Sequence, residues 1–336
     1  MGLSSYLRPK TMMYTGKHDN VKTEITHYQY GVELLDIIKE YEPTRQAKHY
    51  IQVVGLSDVD QLKKIREFYQ IDHLVFEDVL NVNQRNKIEL TNQYLFGTFN
   101  ISYLENKQIK NDYLSLIMFN DIIISFHETT PVYLAPLEQL FTEYKELKEK
   151  NIDFLLYEIL DIITDGHLDV YDHLDYMVNQ FEEEILETKN IEQEAFYLIR
   201  KQLLKLRNNV SPVYEQLEKI MLKKELLFNN DNIPYYDDLK DHLQRLELRL
   251  IQSKETTNHL LDLHINNQSN KMNQIMATLT LFSAIFIPLS FLTGFFGMNF
   301  VYFEVLTYEH ALIFFVAVCA IIAGAMFYIF KKKKWL

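Results

Sequence analysis

The sequence predicts an α+β domain, a mixed sheet covered by helices, followed by a long stalk helix and two helices able to cross a membrane. Three observations carry this. Segments with the period of a strand are confined to the first 127 residues. From Pro131 onward the apolar spacing is helical. Two charge-free apolar runs near the C-terminus, Ile275–Phe296 and Ala311–Phe330, are each long enough to span a bilayer.

Residues 1–20 are polar and punctuated, an N-terminal arm. Residues 21–233 make up a cytoplasmic α/β domain with its following helices. Lys22–Tyr30 (KTEITHYQY) alternates as a strand and His49–Leu56 is a second. Asp58–Tyr69 has helical spacing (Leu62, Ile65, Phe68) with Ser57 or Asp58 as cap. From Lys87 to His127 the chain reads as a meander: KIEL, YLFGTFNISYL, QIKNDYLSLIMF and IIISF. Glu105-Asn106 and Asn120-Asp121 supply turns between the strands.

Strand signals stop at Thr130-Pro131, a cap with proline at the first helical position. Pro131–Lys150 reads as one helix and Asp153 to about Glu187 as a long second. Asn190 with Gln193 opens a third as a capping box, which Ser211-Pro212 either breaks or kinks. Pro234 starts another. No breaker follows Tyr235 until Pro288, so Tyr235–Phe296 is about 90 Å of helix at 1.5 Å per residue. Its cytoplasmic part is residues 234–274. Leu239, Leu243, Leu246 and Leu250 give it an apolar seam, and a rod that long needs partner helices. Identical copies around an axis would supply them.

Within the first apolar run one face is not greasy. Steps of three and four from Asn273 give Met276, Thr280, Ser283, Ile287, Ser290 and Gly294. Such a stripe suits either close helix packing or a water-filled path. Two spans per chain cannot enclose a pore, so a path needs several copies. Rings of neutral oxygens suit a strongly hydrated cation such as Mg²⁺.

Lys331–Lys334 close the second span, in the tail 331–336, whereas the link 297–310 has no Lys or Arg and carries Glu304 and Glu309. The positive-inside rule then places both termini in the cytoplasm, in a multi-pass protein of the plasma membrane. The formal charge of −12 argues against nucleic acid as partner. The one cysteine, Cys319, falls within a span, which excludes an intrachain disulfide. No phosphate loop, nucleophile elbow or enzymatic residue pair appears, so the reading is not an enzyme. His167, Asp169, Asp172, His173 and Asp175 have the composition of a metal set, but helical geometry spreads them over several faces.

The run IFIPLSFLTGFFGMNF (Ile285–Phe300), with Gly297-Met298-Asn299 at its end, a short acidic link, a last span and a terminal KKKKWL, resembles the CorA family of magnesium channels. EDVLNVNQRNKIEL (Glu77–Leu90) and YYDDLKDH (Tyr235–His242) resemble that family's soluble segments, so the likeness covers roughly residues 50–336. It implies a funnel-shaped homopentamer whose first span, 275–296, lines the pore and whose second, 311–330, surrounds it. Asn299 would ring the outer mouth, with Gly297 and Met298 shaping the turn, and Asn273 and Met276 would lie near the inner mouth. Ile287 stands where the family often has methionine, and Phe296 where tyrosine is usual. Glu304 keeps an acid in a link that lacks the common Met-Pro-Glu-Leu run.

The resemblance further implies sensing of cytoplasmic Mg²⁺ at acids between neighbouring domains, here Glu77 and Asp78 on one side and Asp238, Asp241 and His242 on the other. Mg²⁺ is thus expected as cargo and as regulator, with Co²⁺ and Ni²⁺ as further cargo. The alternatives are a zinc transporter of the same architecture and a membrane-anchored cation sensor that does not conduct.

Overall fold

The structure, a computed structural model, describes residues 12–32, 35–38, 47–187, 191, 193–221, 228–298 and 308–333. It divides into two compact units, residues 1–258 and 259–336.

In the first unit seven strands form one sheet: β1 (Glu24–Tyr30), β2 (Leu35–Ile38), β3 (Lys48–Val54), β4 (Lys87–Leu90), β5 (Leu95–Glu105), β6 (Gln108–Met118) and β7 (Ile122–His127), in the order β2-β1-β3-β7-β6-β5-β4. Every pairing is antiparallel except β3 with β7, so the sheet is mixed. The meander closes with two-residue turns. Asn106 and Lys107 both take positive φ (51° and 63°), which matches the right-handed twist of the β5–β6 hairpin. At the end of β3, Gly55 has φ 87°, and a Cβ there would meet the Lys22 carbonyl.

Alternation along the strands gives the sheet two apolar faces. Ile51, Val53, Phe96, Tyr113, Ile117, Ile124 and Phe126 pack with α1 (Val59–Phe68) and α2 (His73–Leu80) through Leu62, Phe76, Val79 and Leu80. Asp58 caps α1 by accepting from the Gln61 amide, and Asp72 caps α2 by accepting from the Leu74 amide. On the opposite face Phe141 packs with Tyr28, Tyr30 and Tyr50, at ring separations of 5.1, 5.0 and 5.8 Å. Leu95 and Phe99 meet Leu156, Leu160, Leu217 and Ile220 there. These last four residues come from α5 (Ile152–Leu186) and α6 (Gln193–Met221).

One expectation changes and one is narrowed. Residues 131–150 are not one helix but a 3₁₀ turn (Val132–Leu134), α3 (Ala135–Glu143) and α4 (Lys145–Glu149). The break falls at Tyr144, whose backbone is extended (ψ 104°) and whose ring stacks on Phe154. Pro212 does not break α6, which runs through it. The capping residue expected at Asn190 lies outside the described residues.

Buried polar groups tie these layers. Asn86 donates to the Asn209 carbonyl (2.7 Å) and accepts from the Asn100 amide (2.6 Å), joining α6 to β5. Asp153 accepts from Asn229 N and Asn232 Nδ2, each at 2.9 Å, and Tyr236 donates to the Asp153 carbonyl at 2.6 Å. These bonds fix the start of α7 (Ile233–Phe296) against α5, and with it the position of Asp238 and His242.

The second unit holds the C-terminal part of α7 and α8 (Ala311–Lys332). Pro288 lies inside α7 without ending it. Phe296 packs its ring against Phe315 at 5.2 Å, joining the two helices near residue 296.

Candidate functional site

The most apolar windows of α7 and α8 have mean hydropathies of 2.1 and 2.7, and neither is buried within the chain. A helix this apolar in a soluble core would be covered by its own fold. Here the cover has to be lipid or other chains. Along α7 the residues of the polar stripe lie bare: Asn273, Met276, Thr280, Ile287, Ser290 and Gly294 are exposed and Ser283 partly so. Thr280 donates its hydroxyl to the Met276 carbonyl (2.8 Å), which satisfies its one donor within its own helix. Apart from its own stretch of helix backbone, no heavy atom of the described residues lies within 4 Å of a Cβ built on Gly294. The α7 helix ends at Phe296. Gly297 N bonds the Thr293 carbonyl (2.9 Å) and Met298 is half exposed. Asn299 and Glu304 lie outside the described residues.

The acids singled out in the soluble unit form two groups. On α2, Asp78 is held by Lys87 Nζ at 2.6 Å and by the Gln84 amide, so part of its charge is already neutralised. Glu77 beside it makes no ion pair among the described residues. On α7, Asp238 lies 3.8 Å from His242 Nε2, with a largely exposed carboxylate, and Asp241 is exposed. The chain does not bring the two groups together. Among the described residues no set of three or more His, Cys, Asp or Glu could hold a metal ion. His167 is buried in the core, which lowers its pKa to about 4, while Asp169 and Asp172 face outward.

The structure adds acids that the sequence reading passed over. Glu158, Asp161 and Asp165 follow one another at helical spacing on α5; Asp161 and Asp165 lie near His242, and Asp161 also near Asp238. Burial, then the charges of Asp161 and Glu146, push Glu158 up to about 7. Burial and Asp165 raise Asp161, against the opposing pull of His242. The spacing of three and four between these acids was the available signal. It needed the packing of α5 against α7 to acquire meaning.

A family model described as CorA-like Mg²⁺ transporter protein matches residues 50–332. The cobalt/magnesium transport protein CorA of Thermotoga maritima is 29% identical over 98% of this chain and 97% of its own length. The zinc transport protein ZntB of Pectobacterium atrosepticum is 28% identical over 60% of this chain and 62% of its own. The solved structure of the CorA magnesium transporter of Methanocaldococcus jannaschii shares the fold, with a TM-score of 0.75 at 20% identity over 94% of this chain and all of that one.

Proposed function

The chain belongs to the CorA-like Mg²⁺ transporter family, and from that premise we propose that it forms a homopentameric channel carrying Mg²⁺ into the cytoplasm. The observation that carries this reading is the stripe of amide, hydroxyl and small side chains from Asn273 to Gly294 on a helix too apolar to stand in water. Five copies turned inward would present rings of amide, hydroxyl and apolar side chains to a hydrated ion. Such rings attract a cation without gripping it, as release requires. Asn299 forms the outer ring beyond Gly297 and Met298, and Glu304 raises the local concentration of cations. The driving force is electrical, about 4.6 kcal/mol per 100 mV for a divalent ion moving inward. Co²⁺ and Ni²⁺ are further cargo.

The domain limits are those read from the sequence, with both termini in the cytoplasm, spans at 275–296 and 311–330, and the loop 297–310 outside. Regulation follows from facing acids on adjacent copies. Glu77 and Asp78 of one chain meet Asp238, Asp241 and His242 of the next, and they repel until Mg²⁺ bridges them. Loss of the ion loosens the ring and favours opening. Glu77 is the stronger candidate ligand on its side, because Lys87 already occupies Asp78.

Mg²⁺ flux into liposomes holding the purified protein tests the proposal. Asn299→Ala is expected to abolish flux while the oligomer persists. Flux unaffected by that change refutes the path, and no flux from the parent favours a sensor that does not conduct. The likeness to a zinc transport protein supports a second reading, and uptake of Zn²⁺ without Mg²⁺ would establish it.

A further inference from the structure

A cavity of about 1000 Å³ lies in the second unit, between the end of α7 and the start of α8. That is the upper end of the range that takes a small-molecule ligand. Most of its wall is hydrocarbon: Leu292 and Phe296 from α7, and Leu312, Phe314, Phe315 and Val318 from α8. Gly297 also lines it, so the cavity reaches the first residue of the Gly-Met-Asn triplet. Its titratable lining residues, Tyr308, Glu309 and His310, are gathered at one end, directly before α8.

Helical geometry says which side of α7 the cavity takes. At 3.6 residues per turn, Leu292 and Phe296 point roughly 180° away from the stripe Asn273–Gly294. With the stripe turned to the axis of the oligomer, as in the channel reading on which this step rests, the cavity opens outward to lipid. An apolar space of this kind stays dry, so its filling has to be hydrocarbon. At the loop end the chemistry changes. The first helical bond of α8 runs from Phe314 N to the His310 carbonyl (3.1 Å), which leaves the Leu312 and Ile313 amides without an acceptor among the described residues. His310 makes no side-chain cap, and Glu309 and His310 are both exposed. Two amides and an imidazole suit a phosphate, and the Glu309 carboxylate suits an ammonium. The link 297–310 supplies no lysine or arginine to offset Glu309.

We infer that this cavity holds a zwitterionic aminophospholipid of the outer leaflet. Its acyl chain lies between Leu292, Phe296 and Phe315, its phosphate meets the α8 amides and His310, and its ammonium meets Glu309. A lipid whose headgroup carries only the phosphate charge fits poorly, because Glu309 repels it with nothing in the link to compensate. The bound chain fills the space behind Gly297 and so backs the outer end of α7, where the channel reading puts the mouth of the path.

The test uses the full chain in phosphatidylcholine liposomes carrying a trace of phosphatidylethanolamine with a photoactivatable acyl chain. Mass spectrometry maps the adducts. Unlabelled phosphatidylethanolamine is expected to lower labelling within residues 308–318 about threefold and phosphatidylglycerol to leave it unchanged, a preference within what one exposed charge pair supplies. Labelling at Ile321, exposed on α8 outside the cavity, should follow bulk lipid and show no competition. Val318→Trp fills the cavity and should remove the competable labelling. Glu309→Lys should reverse the order, so that phosphatidylglycerol competes and phosphatidylethanolamine does not. Should Val318→Trp fail to fold, Glu309→Lys decides alone, and the parent's preference in that variant overturns the inference. Labelling at 308–318 that no lipid displaces overturns it as well, and so does a second copy covering the cavity, which leaves no adducts at Leu312 or Phe315. Mg²⁺ flux in the same liposomes keeps the two readings apart. Flux without competition at the cavity sinks this inference alone, whereas competition without flux sinks conduction and leaves the lipid site standing.

Discussion

Replacing Glu158 by glutamine should stabilise the soluble unit at alkaline pH. Its side chain is only 8% exposed, and its electrostatic neighbours are Asp161 on α5 and, across from it, Glu146 and Lys150. No hydrogen bond or ion pair compensates its carboxylate among the described residues. Burial is the largest cause of its raised pKa, and the two acids add to it, while Lys150 opposes them. The sign follows from linkage. With a folded value of about 7 against an ordinary 4.5, the native state binds more protons than the unfolded state between those limits, so stability falls as pH rises through the window. The full displacement corresponds to about 3 kcal/mol at 1.36 kcal/mol per pH unit, and solvent at the edge of the cluster reduces it to roughly 1–2 kcal/mol. Denaturant unfolding of parent and Glu158→Gln, in chelator at pH 5 and pH 8, measures this. The variant should exceed the parent by roughly 1–2 kcal/mol at pH 8 and match it near pH 5. An advantage that does not change with pH, or a variant less stable at pH 8, would refute the reasoning.

Three further outcomes are expected. Lys48→Met should cost about 2–4 kcal/mol in denaturant unfolding, because Lys48 Nζ donates to the carbonyls of Leu147 (3.0 Å), Lys148 (2.9 Å) and Lys150, and its loss leaves them unsatisfied. Burial lowers His127 to about 3, so the unfolded state binds the extra proton as pH drops below 6.5 and the native state does not. The stability gap between parent and His127→Gln should therefore narrow by roughly 2 kcal/mol between pH 7.5 and pH 5, read from unfolding midpoints. On the proposal that a ring of Ile287 side chains narrows the path and gates it by excluding water, Ile287→Ser should raise Mg²⁺ flux under Mg²⁺-replete conditions by roughly tenfold, equivalent to about 1.4 kcal/mol. Liposome flux no higher than the parent's would remove Ile287 from the gate.

Much of this fold is written in local pattern. The meander strands from Lys87 to His127, the helix after Asp58, the long helix ending near Glu187 and the uninterrupted run from Tyr235 to Phe296 appear as the sequence predicts. Period and capping are properties of a few consecutive residues, so these elements need no partner to be recognised. Strand β2 (Leu35–Ile38) was missed because LDII has no alternation, and as an edge strand it takes its conformation from pairing with β1. Helix α2 has eight residues, about two turns, too few for its period to stand out in the sequence. The break at Tyr144 was missed because only its stacking on Phe154 favours extended backbone there.

The site divides along the same line. The stripe from Asn273 to Gly294 follows from helical spacing alone, and among the described residues all of it but Ser283 is exposed. Asp78 looked equivalent to Glu77 until Lys87, on a neighbouring strand, proved to hold it at 2.6 Å. Asp161 acquired meaning through the packing of α5 beside α7, and Glu158 through Glu146 and Lys150 at α4. By itself the sequence determined the meander strands, the long helices and the two membrane-length runs, because those depend on neighbours in the chain. Tertiary structure alone decided the parallel pairing of β3 with β7, which acids are neutralised and which lie bare, since burial and charge compensation are set by groups remote in sequence.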